Sequence, residues 1–561
     1  MCRRVRSTGA ASTGAASTGA ASTGAVSTGA ASTAGIIGAG IGGIATAIRL
    51  ANKGYAVEVF EANAYPGGKL SQIETNGYRF DAGPSLFTMP QFVDELFELS
   101  GKNPKEYFEY LKLDEVCRYF WEDGTKFTAD SVPDKFAKDA EETLGEPAKN
   151  ITNYLKDSEL KYEVLSGLFL EDSLHKLSTW TSKKALRGYA NMHKMGIFGT
   201  LNDANEKQFE QEKTVQLFNR YATYNGSDPY QTPATMGIIP HLEYNVGAFF
   251  PKNGMFNITL SLVKLAKDLG VKFHFNTKVN EILVEDGKAV GVIISNCQSE
   301  FIEDSIDDKR DGLRQAQPDS NKGEYTTPPT TNIQHRKADI IVSNMDVTPT
   351  YRKLMPNEKH PDKILNQTKS GSGLIFYWGV KKTFPKLGLH NIFFSDDYKT
   401  EFEHQFKHKT IYKDPTVYLN ITSKHKSNDA PAGCENWFIL LNAPANEGQN
   451  WDEIIAEARK NIIEKLNRNL GIDLESLIEV EEILDPRSIE FKTSSDKGAL
   501  YGNSSNNRFA AFLRHANFSN KIENLYFVGG SVHPGGGIPL ALSSAKIAAG
   551  MIERSNGFQV Y

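Results

Sequence analysis

The stretch Gly35 to Gly43, GIIGAGIGG, constrains the fold more than any other part of this chain. Gly38-Ala39-Gly40-Ile41-Gly42-Gly43 spells G-x-G-x-x-G directly after a short strand. Ile41, Ile44, Ala45 and Ile48 then share one helical face, and Gly54 is placed to cap the helix. A second strand, Ala56–Phe60, closes on Glu61, 18 residues past Gly43. Glycines at these positions permit a tight turn and let a diphosphate sit against the helix N-terminus. Glu61 is placed to accept hydrogen bonds from ribose hydroxyls, and its charge repels a 2′-phosphate, which argues against NADP. The plainer alternative is a glycine loop that only packs helix on sheet.

A chain of 561 residues needs more than one lobe. Its net charge of −5 leaves no footprint for nucleic acid. Cys2, Cys117, Cys297 and Cys434 are scattered, without metal-ligand spacing or a disulfide pattern, which fits a reducing compartment. No stretch approaches the roughly 18 apolar residues of a membrane span. Residues 1–34 repeat STGAA with little to bury, so they are expected to be disordered. They read as a transit peptide or as an unselected extension with a mis-set start, and are set aside from the fold.

Directly after Glu61 comes Pro66-Gly67-Gly68-Lys69, a second tight turn whose cation suits the other side of a diphosphate. Asp81-Ala82-Gly83-Pro84 makes a further glycine-proline turn. Near the other end, NLYFVGGSVHPGGGIPLALSSAKIAAG crowds five glycines between Gly529 and Gly537. Such a cluster marks backbone that must approach something closely.

Taken together, G-x-G-x-x-G, the acid, G-G-K and the run His533-Pro534-Gly535-Gly536-Gly537-Ile538-Pro539 resemble the bacterial-type phytoene and carotenoid desaturases. These belong to the amine-oxidase-like FAD superfamily. Phe249-Phe250-Pro251-Lys252-Asn253-Gly254-Met255 is similar to the family's P-x-G-G-M, with Asn253 in place of a glycine. The resemblance covers nearly all of residues 35–555. It implies an α/β plus α+β architecture: a Rossmann-like FAD-binding domain, an inserted substrate-binding domain and a helical membrane-contacting region. The FAD-binding domain would combine 35–110, 250–345 and 490–555, with a disordered insertion at 297–336. The substrate-binding and membrane-contacting region would take 111–249 and 346–489.

The implied FAD contacts are Gly38, Gly40, Gly43, Glu61, Gly68, Lys69, Gly83, Val279, Gly530, Ser531, Gly537 and Ile538, with the backbone of Val279 at the adenine. The helix from about Leu540 would aim its N-terminus at the flavin's pyrimidine edge. Val532 stands where many relatives carry threonine. His533, beside proline in a glycine turn, reads as a structural residue ahead of a general base.

The implied reaction removes a hydride and a proton from a C40 carotenoid, and electrons leave to a quinone or oxygen. No catalytic side chain identifies itself. The dry channel this needs could be lined by GLIFYWG, Gly373 to Gly379, and NIFFSDDY, Asn391 to Tyr398, although core packing explains both. LFTMPQFVDELFELSG and LFNRYATYNGSDPY look most like desaturases that introduce a 3,4 double bond into 1-hydroxylated carotenoids. Asn219, Arg220, Tyr224 and Asn225 could then meet the hydroxyl, or bond one another. A phytoene desaturase, an amine or porphyrinogen oxidase, and a prenyl-lipid escort protein without redox activity are the alternatives. Ser173 to Asn202 carries Lys176, Lys183, Lys184, Arg187 and Lys194 and no acid. It suggests a helical patch on an anionic membrane, and hence a cytoplasmic protein held peripherally at that surface.

Overall fold

The computed structural model describes residues 31–296, 333–507 and 513–555. Its centre is a five-stranded sheet in the order Leu525–Phe527, Ile340–Ser343, Thr33–Ile37, Ala56–Phe60, Lys272–His274, with every pairing parallel. Parallel strands require crossovers that cover both faces. On one face the helix Ile41–Ala51 packs against Phe256–Asp268 and Ile538–Ser555, burying Ile36, Ile44, Ile48, Val59, Leu262 and Leu542. On the other lies an antiparallel sheet of Thr277–Glu285, Lys288–Asn296 and Ile333–Lys337, over Ile37, Phe60, Ile341 and Phe527.

Two sequence boundaries move. Thr33 and Ala34, set aside with the repeat, belong to the first strand. Pairing with Ala56, Val57 and Ile340, and a Thr33 Oγ1 bond to Asp339 at 2.9 Å, override their weak composition. Residues 333–336, assigned to the insertion, form a strand on Val292 to Ser295. The rest of the insertion and residues 1–30 lie outside the described residues. The first helix also ends at Ala51, with Asn52 as its cap and Gly54 in the turn beyond, at φ +83°.

The second large sheet has seven strands in the order Ile478–Leu484, Ser372–Val380, Glu435–Ala443, Val417–Asn420, His390–Phe393, Glu115–Phe120, Lys126–Asp130. Along Ser372–Val380 every residue is buried, and alternation sorts them. Leu374, Phe376 and Trp378 turn to a core under the helix Trp451–Leu470, while Ile375 and Tyr377 turn to the opposite face. From Ser32 onward the chain forms one compact unit, so the two sheets are lobes of a single body. No helix among the described residues is long and apolar enough to cross a membrane.

Candidate functional site

The first strand ends at Ile37, and the chain turns through Gly38, at φ +91°, into the helix. Gly40, Gly42, Gly43 and Gly529 surround the side chain of Asn344, the residue after the Ile340–Ser343 strand. A Cβ on Gly40 would lie 2.5 Å from Asn344 Nδ2, and one on Gly42 or Gly529 would lie 2.8 Å from Asn344 Oδ1. A Cβ on Gly43 would meet the carbonyl of Gly38 at 2.3 Å. Gly43 therefore seats the helix on the turn, whereas Gly38 and Gly40 face open space.

That space is a continuous cavity of about 1510 Å³. Gly38, Gly40, Glu61, Gly68, Lys69, Gly83, Val279, Gly530, Ser531, Gly537 and Ile538 line it together, from segments hundreds of residues apart. Of the expected contacts only Gly43 stands behind the wall, for the packing reason just given. Glu61 Oε2 accepts from the Ala39 amide at 2.7 Å, and Oε1 accepts from the Asn63 amide at 2.9 Å. Burial holds its pKa above the usual carboxylate value, against those bonds. Ser531 Oγ accepts from Val347 N at 3.0 Å and ties the C-terminal glycine loop to the Val347–Leu354 helix.

Lys69 stands in the same wall, next to Gly68. Its ammonium donates to the carbonyls of Leu500 and Ala499 at 2.9 and 3.2 Å. Burial pulls it down to about 8, with Asp346 opposing. His533 Nε2 donates to the Asp172 carbonyl, 3.0 Å away, and burial drives the pKa of the ring down to about 4. So low a basicity, with a main-chain partner, suits the structural role.

Sequence reasoning missed Asn344, Asp346 and Arg514, all in the cavity wall. Asp346 caps the Val347–Leu354 helix through Thr348 N at 2.9 Å. Arg514 bonds the carbonyls of Tyr501 and Gly530 at 2.8 and 3.3 Å, and has no carboxylate partner among the described residues. Burial lowers its pKa to about 10. A buried cation without a counter-charge favours an anion in the cavity.

The polar residues of 217–230 divide. Asn219 closes a network with Asn202 and Asn205 at 2.7 and 2.8 Å. Arg220 donates to Tyr119 Oη at 2.7 Å, Tyr224 Oη at 3.0 Å and Glu243 Oε2 at 3.3 Å. Glu243 also accepts from Tyr221 and Tyr224. Asn225 lines the cavity with its amide 3.0 Å from Met236 Sδ. Most of this stretch therefore satisfies itself.

Two of the five cations in the acid-free stretch 173–202 are paired from outside it. Lys184 pairs with Glu171 at 2.7 Å and Asp172 at 3.0 Å, and Arg187 pairs with Glu163 at 3.2 Å. Its exposed apolar side chains stand out more: Leu177 is 80% exposed, Phe198 78% and Leu186 61%. Tyr189 and Met192, also exposed, line the cavity as well, so it opens at this patch.

These features fit FAD. The wall joins a glycine turn, a buried acid beyond the second strand, the N-terminus of an 18-residue helix and an uncompensated cation. A cavity of about 1510 Å³ also exceeds the roughly 300–1,000 Å³ of a single small-ligand pocket. Fold and site thus define an FAD-dependent oxidoreductase of the amine-oxidase type. The family of flavin containing amine oxidoreductases matches over residues 41–304. Cyclohexylamine oxidase from Brevibacterium oxydans superposes with a TM-score of 0.55 at 14% identity, covering 94% of this chain and 100% of that one, a likeness of fold. The 1-hydroxycarotenoid 3,4-desaturase of a Flavobacterium is 50% identical over 92% of this chain and 97% of its own. The phytoene desaturase of Fusarium fujikuroi is 30% identical over 92% and 88%. The chain belongs to the carotenoid desaturase family of these flavin oxidoreductases.

Proposed function

We propose that this enzyme desaturates a C40 carotenoid, introducing a 3,4 double bond into a 1-hydroxylated substrate. The observation that carries the reading is the cavity itself, which is continuous from the glycine turn to an apolar, exposed mouth. It rests also on the 50% identity to a relative of that name across nearly the whole of both chains. FAD, when bound, supplies the hydride acceptor, and a quinone or oxygen would reoxidise it. Gly38, Gly40 and Gly68 would admit the diphosphate, Glu61 the ribose, Val279 the adenine, and Gly530, Ser531, Gly537 and Ile538 the flavin end. Leu168, Leu170, Met195, Ile197, Met236 and Ile239 line the cavity, which keeps water from the reacting bond.

The cofactor part would combine 33–110, 250–345 and 490–555, and the substrate part 111–249 and 346–489. Leu177, Leu186, Tyr189, Met192 and Phe198 would rest in a membrane surface and receive the carotenoid from it. Unpaired Cys117 and Cys434 suit a reducing compartment, as for a protein on the cytoplasmic side.

The test supplies membranes containing phytoene or a 1-hydroxylated carotene to the holoenzyme and follows absorption and product mass. Loss of two hydrogens from the hydroxylated substrate, with a red shift, is expected. Turnover of phytoene with none of the hydroxylated carotene refutes the branch assignment and leaves a desaturase.

A further inference from the structure

The phenol of Tyr501 stands where the C-terminal glycine run meets the substrate part of the fold, and neighbouring glycines fix its place. A Cβ on Gly536 would lie 2.6 Å from Tyr501 Cδ1, and one on Gly226 would lie 2.8 Å from Cδ2. The two edges of the ring are therefore held between two loops, and a side chain on either loop would displace it. A Cβ on Gly502 would lie 2.7 Å from Ser531 Cα, so the chain at 501–502 rests directly on the turn 530–536. The backbone is pinned as well. The Tyr501 amide donates to Ser370 Oγ at 3.1 Å, and the Tyr501 carbonyl accepts from Arg514 Nη1 at 2.8 Å.

Tyr501 is half-buried and lines the cavity. Its phenol oxygen has no hydrogen-bond partner among the described residues, yet it is not sealed in the interior and keeps surface open to the cavity. Burial alone raises its pKa to about 12, with no charge or hydrogen bond contributing, so it stays a neutral O–H in ordinary buffers. In the same wall Tyr189, Tyr224 and Tyr418 spend their hydroxyls on the Trp180 carbonyl, Glu243 and Ser85. A neutral hydroxyl with donor and lone pairs all free matches another neutral hydroxyl. A hydrocarbon carotene offers none, and covering the phenol with it would leave the O–H dry and unpaired.

Position supports the same conclusion. In a 1-hydroxylated carotenoid the oxygen sits on C1, two bonds from C3, so its partner must stand beside the 3,4 bond. That bond must in turn lie at the flavin end, assigned above to Gly530, Ser531, Gly537 and Ile538. Tyr501 touches that loop at Gly536 with one ring edge and the substrate part at Gly226 with the other, and its oxygen lies within a ring's length of both contacts. The Arg220–Glu243 cluster, which the sequence favoured for this task, is already occupied internally.

We propose that Tyr501 determines specificity for the hydroxylated end of the substrate, its phenol bonding the 1-hydroxyl and so setting the 3,4 bond at the flavin end of the cavity. The proposal rests on the reading that the substrate is 1-hydroxylated. The experiment uses purified holoenzyme with phosphatidylcholine vesicles containing either a 1-hydroxylated carotene or its deoxy analogue of equal length and conjugation. The first quantity is the ratio of kcat/KM for the two, in wild type, Tyr501→Phe and Tyr501→Leu, with flavin absorbance reporting the folded holoenzyme. The second is the ratio of their affinities for anaerobically reduced enzyme, which cannot turn over, read by quenching of tryptophan fluorescence.

Wild type is expected to favour the hydroxylated carotene in both. Tyr501→Phe, which keeps the ring and loses only the oxygen, lowers that preference about 3- to 10-fold, the range of one neutral hydrogen bond, and leaves the deoxy analogue unaffected. An unchanged preference in Tyr501→Phe, with wild type still selective, overturns the role of Tyr501 alone. A purely aromatic wall gives that result, with both carotenes weakened together in Tyr501→Leu. A wild type without preference for the hydroxylated carotene overturns the substrate reading and the Tyr501 assignment with it. Should Tyr501→Phe turn over neither carotene, the affinity ratio decides: a lowered ratio supports the assignment and an unchanged one overturns it.

Discussion

Gly40 is glycine for two separable reasons, and a double-mutant cycle distinguishes them. The backbone must approach a diphosphate, and the side chain of Asn344 fills the place a Cβ would take, 2.5 Å from its Nδ2. That distance is shorter than real Cβ contacts show, so Gly40→Ala forces the half-buried Asn344 side chain to move out of its glycine cradle. Overpacking of this kind costs about 1–3 kcal/mol. Asn344→Ala removes the atoms that collide. The pair Gly40→Ala/Asn344→Ala should therefore recover most of the loss in apoprotein stability, with a coupling of about 0.5–3 kcal/mol. Gly43→Ala is the control. Its Cβ would meet a main-chain carbonyl at 2.3 Å, which no second truncation removes.

The assay is urea unfolding of the apoprotein for each corner of the cycle, alongside flavin affinity by fluorescence quenching. Stability should return in the double variant while flavin affinity stays low, because the new methyl still intrudes on the diphosphate. Additive losses in the two single variants would refute the account of Asn344. Full recovery of flavin affinity in the double variant would refute the role of Gly40 at the diphosphate.

Three further outcomes follow from the structure. Replacing Leu186, Met192 and Phe198 with Ser should lower vesicle binding more than Lys183, Lys184 and Arg187→Glu, since Lys184 and Arg187 are already ion-paired; the reverse order in flotation would favour a purely electrostatic contact. Substituting a short turn for residues 298–332 should preserve flavin content and activity, because Ser295 and Ile333 already pair across antiparallel strands; loss of holoenzyme would show that the segment supports the fold. His533 titrates at about 4 in the folded protein and near 6.5 unfolded, so the unfolded chain takes up the proton first and stability falls as pH drops from about 6.5 to about 4. His533→Asn should flatten the acid slope of unfolding by about 1.4 kcal/mol per pH unit in that window, and an unaltered slope would exclude the assignment.

What was legible in the sequence was local. The G-x-G-x-x-G turn, Glu61 and the glycine run near the C-terminus announce themselves because their geometry is fixed within a few residues. The carbonyl partners of Lys69 were not legible, because Ala499 and Leu500 lie 430 and 431 residues away in sequence. Asn344 follows an ordinary apolar strand, and only the packing of four glycines around it gives it a role. The pairing of the basic stretch was hidden for a similar reason. The acids that meet Lys184 and Arg187, namely Glu163, Glu171 and Asp172, precede it on and just after the helix Ala148–Phe169, which folds back on Lys183–Ala190. Thr33 shows the converse: composition alone sets it aside with the repeat, and pairing with Ala56 together with bonds to Asp339 recruit it to the sheet.

Residues 217–230 mark the harder limit, since a hydrogen-bond partner is a property of three dimensions. In the sequence Arg220 and Tyr224 stand as polar groups among aromatics, and the fold answers both with Glu243, which lies 23 and 19 residues further on. Asn219 is met in the same way by Asn202 and Asn205. Composition shows which side chains need a partner once buried, and only the packing of the helices shows that the partner is already there.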